Sequence, residues 1–519
     1  MAPVGVWDAD AVVVGAGGGG LMAAAVLANA GMRVVVLDRH SVVGGNMSSF
    51  CHKGYEFDVG VHYLGACGPG GMLRELLDPL GVKPNFLPMD SDGYDTILIG
   101  EQEFRIPAGL ERYRERLHAR FPAERAGVDA YLRTMATLSD SLLGLRLRPS
   151  AAELVRLPRT VWPLLRRGRS SLQALFDRLE LSLMLRAVLA GTSGDYGLPP
   201  SRASVTMHAA VTMHYMDGAW YPEGGGQVIS EALADIVRKN GGDVLLQTPV
   251  SGIIVSRGRA TGVRTRSPQR RGAPAEVRAP IVVSNADLKR TFAELLPEGT
   301  LPDRVSRRVA AMTMAPPLFS LFLVLDRDLA AEGFRNTNTW LHPNADIEGS
   351  FTALNGHLPE RPLVYVSPGS LKDPANQRMC RPGQSNLQLL TFVPGDHSFW
   401  GLTDGMNRYR HNDTYQRRKR QIRDAVLRET DRLIPGIRDS IVFEEAATPI
   451  THSRFTWSSG GTGYGLAATP EQYLFRRPMP TTPVKGCYVV GASTVFGMGV
   501  AGVLAGGRQT ADLILARHG

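Results

Sequence analysis

Val12-Val13-Val14-Gly15-Ala16-Gly17-Gly18-Gly19-Gly20-Leu21-Met22 decides the fold. A short β-branched run within 9–14 feeds the glycines, a helical segment follows over 21–30, and a second β-branched run fills 33–37. The glycines fit G-x-G-x-x-G between a strand and a helix, and Asp38 stands at the end of the next strand. Each glycine has a reason. Gly15 makes the tight turn, Gly17 lets backbone approach a pyrophosphate, and Gly20 allows close packing of helix on strand. Unpaired N–H groups at the helix start, from Gly18 on, favour phosphate. Asp38, with Arg39 beside it, is expected to accept hydrogen bonds from an adenosine ribose. A purely structural glycine turn is the alternative, and the flanking strand and helix weigh against it.

Working outward, Gly44-Gly45-Asn46 supplies a second glycine turn, placed to run back along the same pyrophosphate. NAD-only domains do not need that element. At the far end a strand over 487–490 enters Gly491-Ala492-Ser493, then Gly497-Met498-Gly499-Val500-Ala501-Gly502 and a helix. That run also matches G-x-G-x-x-G. No acidic residue follows at the ribose position, so it is expected to be a helix N-terminus facing the carbonyl edge of a flavin ring. With one complete fingerprint, no separate NAD(P)H site is evident.

The 519 residues, 43% hydrophobic and 21% charged, fall in the ordinary globular range and call for more than one domain at roughly 100–200 residues each. Net charge is +9, and only seven of the 58 basic residues are lysine. The four cysteines are scattered, without C-x-x-C or zinc spacing, which fits a reducing compartment and no metal. No basic region precedes an apolar stretch at the N-terminus, so no secretory signal is expected. The uncharged run 12–32 is long enough for a membrane span, but its glycines belong to a nucleotide turn. A cytoplasmic location is expected.

Further segments resemble the phytoene desaturase-like flavoproteins, in particular the prolycopene isomerase and retinol saturase branch. They are the opening turn with Asp38 and Gly44-Gly45-Asn46, and Gly54-Tyr55-Glu56-Phe57-Asp58-Val59-Gly60-Val61-His62-Tyr63-Leu64-Gly65. Tyr221-Pro222-Glu223-Gly224-Gly225, Val282-Val283-Ser284-Asn285-Ala286-Asp287 and Tyr488-Val489-Val490-Gly491-Ala492-Ser493-Thr494 complete the set, which spans almost the whole chain. The resemblance implies FAD and an elongated apolar cavity for a polyene or isoprenoid lipid. It places Gly60 and Val61 near the flavin, Val250 at the adenine, and Gly499-Val500 at the isoalloxazine. Val495-Phe496 stands where many relatives carry His-Pro.

The expected architecture is α/β: a discontinuous FAD-binding Rossmann-like domain of glutathione reductase type, a β-sheet substrate domain and an inserted helical region. The FAD-binding pieces are expected at 1–105, 206–310 and 445–519, the helical region at 106–205 and the substrate domain at 311–444. The expected chemistry is desaturation, saturation or isomerisation of carbon–carbon double bonds, in which the cofactor carries the reaction and the protein supplies orientation and a dry cavity. No Ser/His/Asp or paired-carboxylate signature is visible. His62, Tyr63 and Tyr464 are the catalytic candidates. Core packing is the other reading for Tyr464, and a structural hydrogen bond for His62.

Residues 111–186 hold fifteen arginines against eight acids, and 146–169 hold seven against one. Trp162 and leucines interleave with them, the pattern of an interfacial membrane anchor, and Pro158 and Pro163 are expected to interrupt the helix. The same surface could serve an acidic acyl carrier protein presenting a polyketide polyene. A solvated arginine face is the plain alternative. Nucleic-acid binding finds no recognition motif. Flavin amine oxidation and a non-catalytic flavin carrier remain as rival functions.

Overall fold

A computed structural model of the chain describes residues 5–145, 147, 151–266, 274–403 and 408–518. The sequence reads 267–277 as a solvated hairpin loop, and 267–273 lie outside the described residues. Its described end, Glu276–Arg278, is a strand paired on Arg259–Thr265 and Val6–Asp8.

The valine runs become a five-stranded parallel sheet ordered Asp243–Leu245, Val34–Leu37, Ala11–Val14, Ile281–Ser284, Cys487–Val489. Val13, Val34, Val36, Ile281 and Val283 pack under the helices Gly18–Asn29, Gln227–Lys239 and Gly499–His518. Their neighbours Val12, Val35 and Val282 pack against a four-stranded sheet that includes Val250–Ser256 and Arg259–Thr265. Strands covered on both faces read as continuous valine instead of alternating with polar residues.

A seven-stranded mixed sheet forms the second body, ordered Ile441–Ala447, Leu318–Leu325, Ser385–Phe392, Val364–Ser367, Asn338–His342, Asp95–Ile99, Gln102–Ile106. Along Leu318–Leu325 the odd-numbered residues Phe319, Leu321 and Leu323 meet the helix Asp413–Thr430. Other strands turn Trp340, Tyr365, Leu390 and Phe392 to the opposite side, toward the helical region. That region comprises the helices Leu110–Arg120, Arg125–Leu143, Ala151–Arg167, Leu172–Arg178, Leu183–Leu189 and Val205–His214.

Three expectations need correction. The strands Asp95–Ile99 and Gln102–Ile106 belong to the large sheet, because Asp95–Ile99 pairs in parallel with Asn338–His342; the first nucleotide segment therefore stops short of residue 105. Val205–His214 is one helix, so no boundary falls at 205, and Ile441–Ala447 is one strand across 444. Ala151–Arg167 runs through Pro158 and Pro163. A proline inside a helix forfeits one hydrogen bond and crowds the preceding turn, a cost met here on a surface where Pro158 is exposed.

Candidate active site

The two N-terminal glycine turns are stitched together. Gly17 and Gly44 form a parallel bridge, and the Gly44 N–H donates to the Ala16 carbonyl at 2.7 Å. The helix Gly18–Asn29 starts from Gly17 with no side-chain cap and no acid in its first turn, so its free N–H groups suit an anion. Gly15, Gly17, Gly18, Gly44, Gly45 and Asn46 all line one large cavity. Gly20 does not face it: a Cβ there would lie 2.3 Å from the Gly15 carbonyl oxygen and 2.9 Å from Asn285 Cβ.

Asp38 faces the cavity and also braces its wall. Its Oδ2 accepts the Ala16 N–H and its Oδ1 the His40 N–H, both at 2.7 Å. Arg39 is tied to the wall at the Arg454 and Phe455 carbonyls, 2.8 and 2.6 Å away, and stacks with Arg290 on Trp457. Asn46 donates to the Gly463 carbonyl at 3.0 Å and accepts from His452 Nε2 at 2.9 Å. Burial pulls the His452 imidazole down to about 4, so it is neutral and donates through Nε2. Val250 lines the cavity at the start of its strand.

The last glycine turn closes the same cleft with Gly491, Ala492, Gly499 and Val500. Arg477, wholly buried, donates to the Ala492 carbonyl at 2.6 Å and to the Leu466 and Gln472 carbonyls. Burial lowers this guanidinium to about 10, which leaves it charged. Gly499 has φ +80 with no atom within 4 Å of where a Cβ would stand, so its backbone is open to a ligand. The helix Gly499–His518 packs so closely on the first that a Cβ at Gly507 would sit 2.3 Å from the Gly19 carbonyl oxygen. Two helix N-termini free of acid thus meet at one cleft. The cradle fits a dinucleotide with a flat ring at its inner end.

Beyond the cradle the wall turns to buried polar side chains. Asp58 accepts the Tyr221 O–H and, at 3.0 Å, the Gly226 N–H, which joins the 54–65 segment to the 221–226 loop. Burial raises its carboxyl to about 6. Gly60, Val61 and His62 follow along the cavity. The His62 carbonyl accepts from Lys372 Nζ at 2.7 Å, and Lys372 also donates to Ser367 Oγ at 2.6 Å. Burial, with the neighbouring ammonium, pulls His62 down to about 3, so its ring is neutral. Burial likewise lowers Lys372 to about 7.

Tyr63 stacks on Tyr215 with ring centroids 4.3 Å apart, and its hydroxyl lies 3.0 Å from Asp95 Oδ2 and 2.9 Å from Asp195 Oδ2. The paired carboxylates that sequence spacing does not reveal are made by the fold. Tyr464 also lines the cavity and donates to the Gly194 carbonyl at 2.9 Å. Of the side chains that build and brace this cavity, sequence reasoning missed His452, Arg477, Lys372, Asp95 and Asp195. None sits in a glycine motif, and a lysine, an arginine or two acids in a large sequence carry no local signal of burial.

Cradle and polar wall belong to one continuous cavity of about 2490 Å³, against about 300–1,000 Å³ for an ordinary small-molecule pocket. Tyr63, Trp340, Tyr365 and Phe392 line it too, as do Leu143, Leu157 and Val161. The helix Ala151–Arg167 is apolar on two sides. Leu157 and Val161 look into the cavity, while Val155, Trp162 and Leu165 are 83%, 63% and 60% exposed. Of the basic stretch 146–169, positions 146 and 148–150 lie outside the described residues. No helix among the described residues is long and apolar enough to cross a membrane.

With this geometry in place, comparison with known proteins is informative. The family model for flavin containing amine oxidoreductases matches residues 19–515. An all-trans-retinol 13,14-reductase of Danio rerio is 31% identical over 98% of this chain and 86% of its own length. A chloroplastic prolycopene isomerase of Daucus carota is 26% identical over 97% of this chain and 80% of its own. Among solved structures, a putrescine oxidase superposes with a TM-score of 0.66 at 16% identity, covering 99% of this chain and 100% of that one; it shares the fold.

Proposed function

We propose, from the premise that this chain belongs to the flavin-containing amine oxidoreductase family, that it saturates, desaturates or isomerises carbon–carbon double bonds of a polyene lipid of retinoid or carotenoid type. The chain is an FAD-dependent oxidoreductase with a Rossmann-like FAD domain. The observation that carries the substrate reading is the continuity of the cavity, which the dinucleotide cradle shares with aromatic and aliphatic walls and with the helix Ala151–Arg167.

In this reading Gly15, Gly17, Gly18 and Gly20 shape the turn around the pyrophosphate, and Gly44, Gly45 and Asn46 cover it. Asp38 meets the adenosine ribose, Arg39 and Val250 border the adenosine end, and Gly60, Val61, Gly491, Ala492, Gly499 and Val500 surround the ring. The bound flavin supplies two-electron transfer to or from a carbon of the substrate. The protein's own part is to align the polyene and exclude water. Neutral His62, Tyr63 and Tyr464 stand on that wall, the His62 main chain held by Lys372, the Tyr63 hydroxyl by Asp195 and the Tyr464 hydroxyl by the Gly194 carbonyl. Anaerobic visible spectra with a panel of retinoids and carotenoids test this. Bleaching with a more conjugated product identifies a desaturase, and product formed only after chemical reduction identifies a saturase or isomerase. Neither outcome with any polyene would refute the reading. An amine is the second reading, because Asp195 among Tyr63, Tyr365 and Trp340 resembles a cation's aromatic cage; bleaching by amines alone would select it.

The exposed stripe Val155, Trp162 and Leu165, interspersed with Arg156, Arg159 and Arg166, supports docking on an anionic lipid surface, with substrate entering beside Leu157 and Val161. Co-sedimentation with anionic but not neutral vesicles is the expected result. Salt-sensitive binding to an acyl carrier protein, with no vesicle binding, would assign the surface to a protein partner instead.

A further inference from the structure

The oxygens of Asp95, Tyr63 and Asp195 form a row with separations of 3.0 and 2.9 Å. Two contacts of that length need two hydrogens, and the Tyr63 hydroxyl brings one. The second must sit on a carboxyl. Trp340 Nε1 donates to the other oxygen of Asp95 at 3.2 Å, which holds the negative charge there and leaves the proton to Asp195. Tyr63 and Asp95 are buried and Asp195 is half-buried; Tyr63 and Asp195 line the large cavity while Asp95 lies behind them. Behind the row is a separate void of about 20 Å³, bordered by both carboxyls and by Thr192, Thr212, Tyr94 and Tyr215, with room for a single water.

We propose that Asp195 is the proton donor to the substrate carbon, that Tyr63 relays a replacement proton to it, and that Asp95 is the positioning residue that keeps one proton in the row. The proposal rests on the reading of the substrate as a polyene. In a saturation, the O–H bond of Asp195 breaks and a C–H bond forms on one carbon of the double bond. A reduced flavin held in the cradle would supply the electron pair to the adjacent carbon as hydride, which balances the two hydrogens gained by the double bond against the oxidation of the flavin. Asp195 recovers its proton through Tyr63, and the row is refilled from water at the void. Burial raises both carboxyls, Asp195 to about 7, and the neighbouring Asp195 adds to the rise at Asp95. The groups that face them are the Lys372 ammonium, which opposes this rise at Asp95, and the phenols of Tyr63, Tyr94, Tyr196, Tyr215, Tyr365 and Tyr464.

Infrared spectra of the flavin-loaded protein without substrate, in light and heavy water and from about pH 5 to about pH 9, test the row by itself. The expected result is the carbonyl stretch of a neutral carboxylic acid at neutral pH that is lost in Asp195→Asn and moves to lower pH in Asp95→Asn. Absence of any Asp195-dependent band at neutral pH overturns the proposal. With a polyene that turns over, Asp195→Asn is expected to slow product formation about 10²–10⁴-fold with flavin retained, the range of a general acid. In the wild-type product formed in heavy water, the carbon protonated by Asp195 is expected to carry solvent deuterium. Unchanged turnover in Asp195→Asn overturns the assignment of the donor. If no polyene reacts, the reading of the substrate fails, and the infrared band still decides whether the row stores a proton.

Discussion

The nucleotide cradle and the wall beyond Tyr63 meet in one cavity but are made of different material. In the cradle the cavity-facing groups at Gly17, Gly44 and Gly499 are main chain, with the side chains of Asn285 and Ser230 packed against the first two and open space at the third. Beyond Tyr63 they are side chains from scattered elements: Trp340 and Tyr365 from adjacent strands and Asp195 from a short turn, with Asp95 of a third strand behind them. Backbone recognition admits few residues at each position. Side-chain recognition admits many, which is how one cradle can serve different substrates.

That contrast can be broken. Gly20→Val is expected to have the largest effect, because its Cβ meets the Gly15 carbonyl 2.3 Å away and the turn cannot yield. Such overpacking costs about 3 kcal/mol or more, and absorbance of the purified protein should show little bound flavin. Leu157→Ala, in the helical wall of the same cavity, should retain it. If both variants keep flavin equally, the cradle is less rigid than described. Arg477→Leu comes next. It strands the carbonyls of Ala492, Leu466 and Gln472, at about 1–3 kcal/mol for an unsatisfied buried group. A lower denaturation midpoint with partial flavin loss is expected.

Acid should strike both regions. Burial holds His62, His208, His214, His342 and His452 at about 3 to 4, below the 6.5 of an exposed imidazole. Below 6.5 the unfolded chain binds protons that the folded chain refuses, so stability falls as pH falls through 6.5 toward 4. Each such histidine adds a slope of about 1.4 kcal/mol per pH unit there. His208, which bonds Tyr131 and Tyr196 through its two ring nitrogens, is the cleanest probe. His208→Gln should flatten the curve by one histidine's slope, as read from denaturant midpoints along a pH series.

The smallest effect on stability is expected from replacing Trp162 and Leu165 together by serine. Both are exposed, so the fold should change by no more than about 0.5 kcal/mol, while binding to anionic vesicles should fall. A large loss of stability would mean that this stripe is packed instead of presented.

What the sequence discloses follows the same division. Gly15, Gly17, Gly44 and Asp38 are legible because strand, turn and helix lie within one short stretch, and valines covered on two faces run together without polar interruption. The strands Leu318–Leu325 and Val364–Ser367 are legible for a related reason, being apolar runs bounded by Pro317 and Pro368. Asp95 reads as an ordinary acid at the start of a strand, and only its parallel pairing with Asn338 turns it inward beside Trp340. The helix Ala151–Arg167 misleads in the other direction, since proline's local penalty is visible in sequence and the packing of Leu157, Val161 and Leu164 that offsets it is not.

The parallel sheet takes its last strand, Cys487–Val489, and the second helix of the cradle, Gly499–His518, from the end of the chain. On the ribosome, therefore, the N-terminal glycine turns emerge long before their partners exist, and the nascent chain must wait with its valine strands uncovered. Cofactor capture becomes a test of complete synthesis: a chain broken off before residue 487 has every residue of the first fingerprint and no finished place for the ring. Premature products of this gene would then be colourless and aggregation-prone, and the yellow of bound flavin would mark only the chains that had been read to the end.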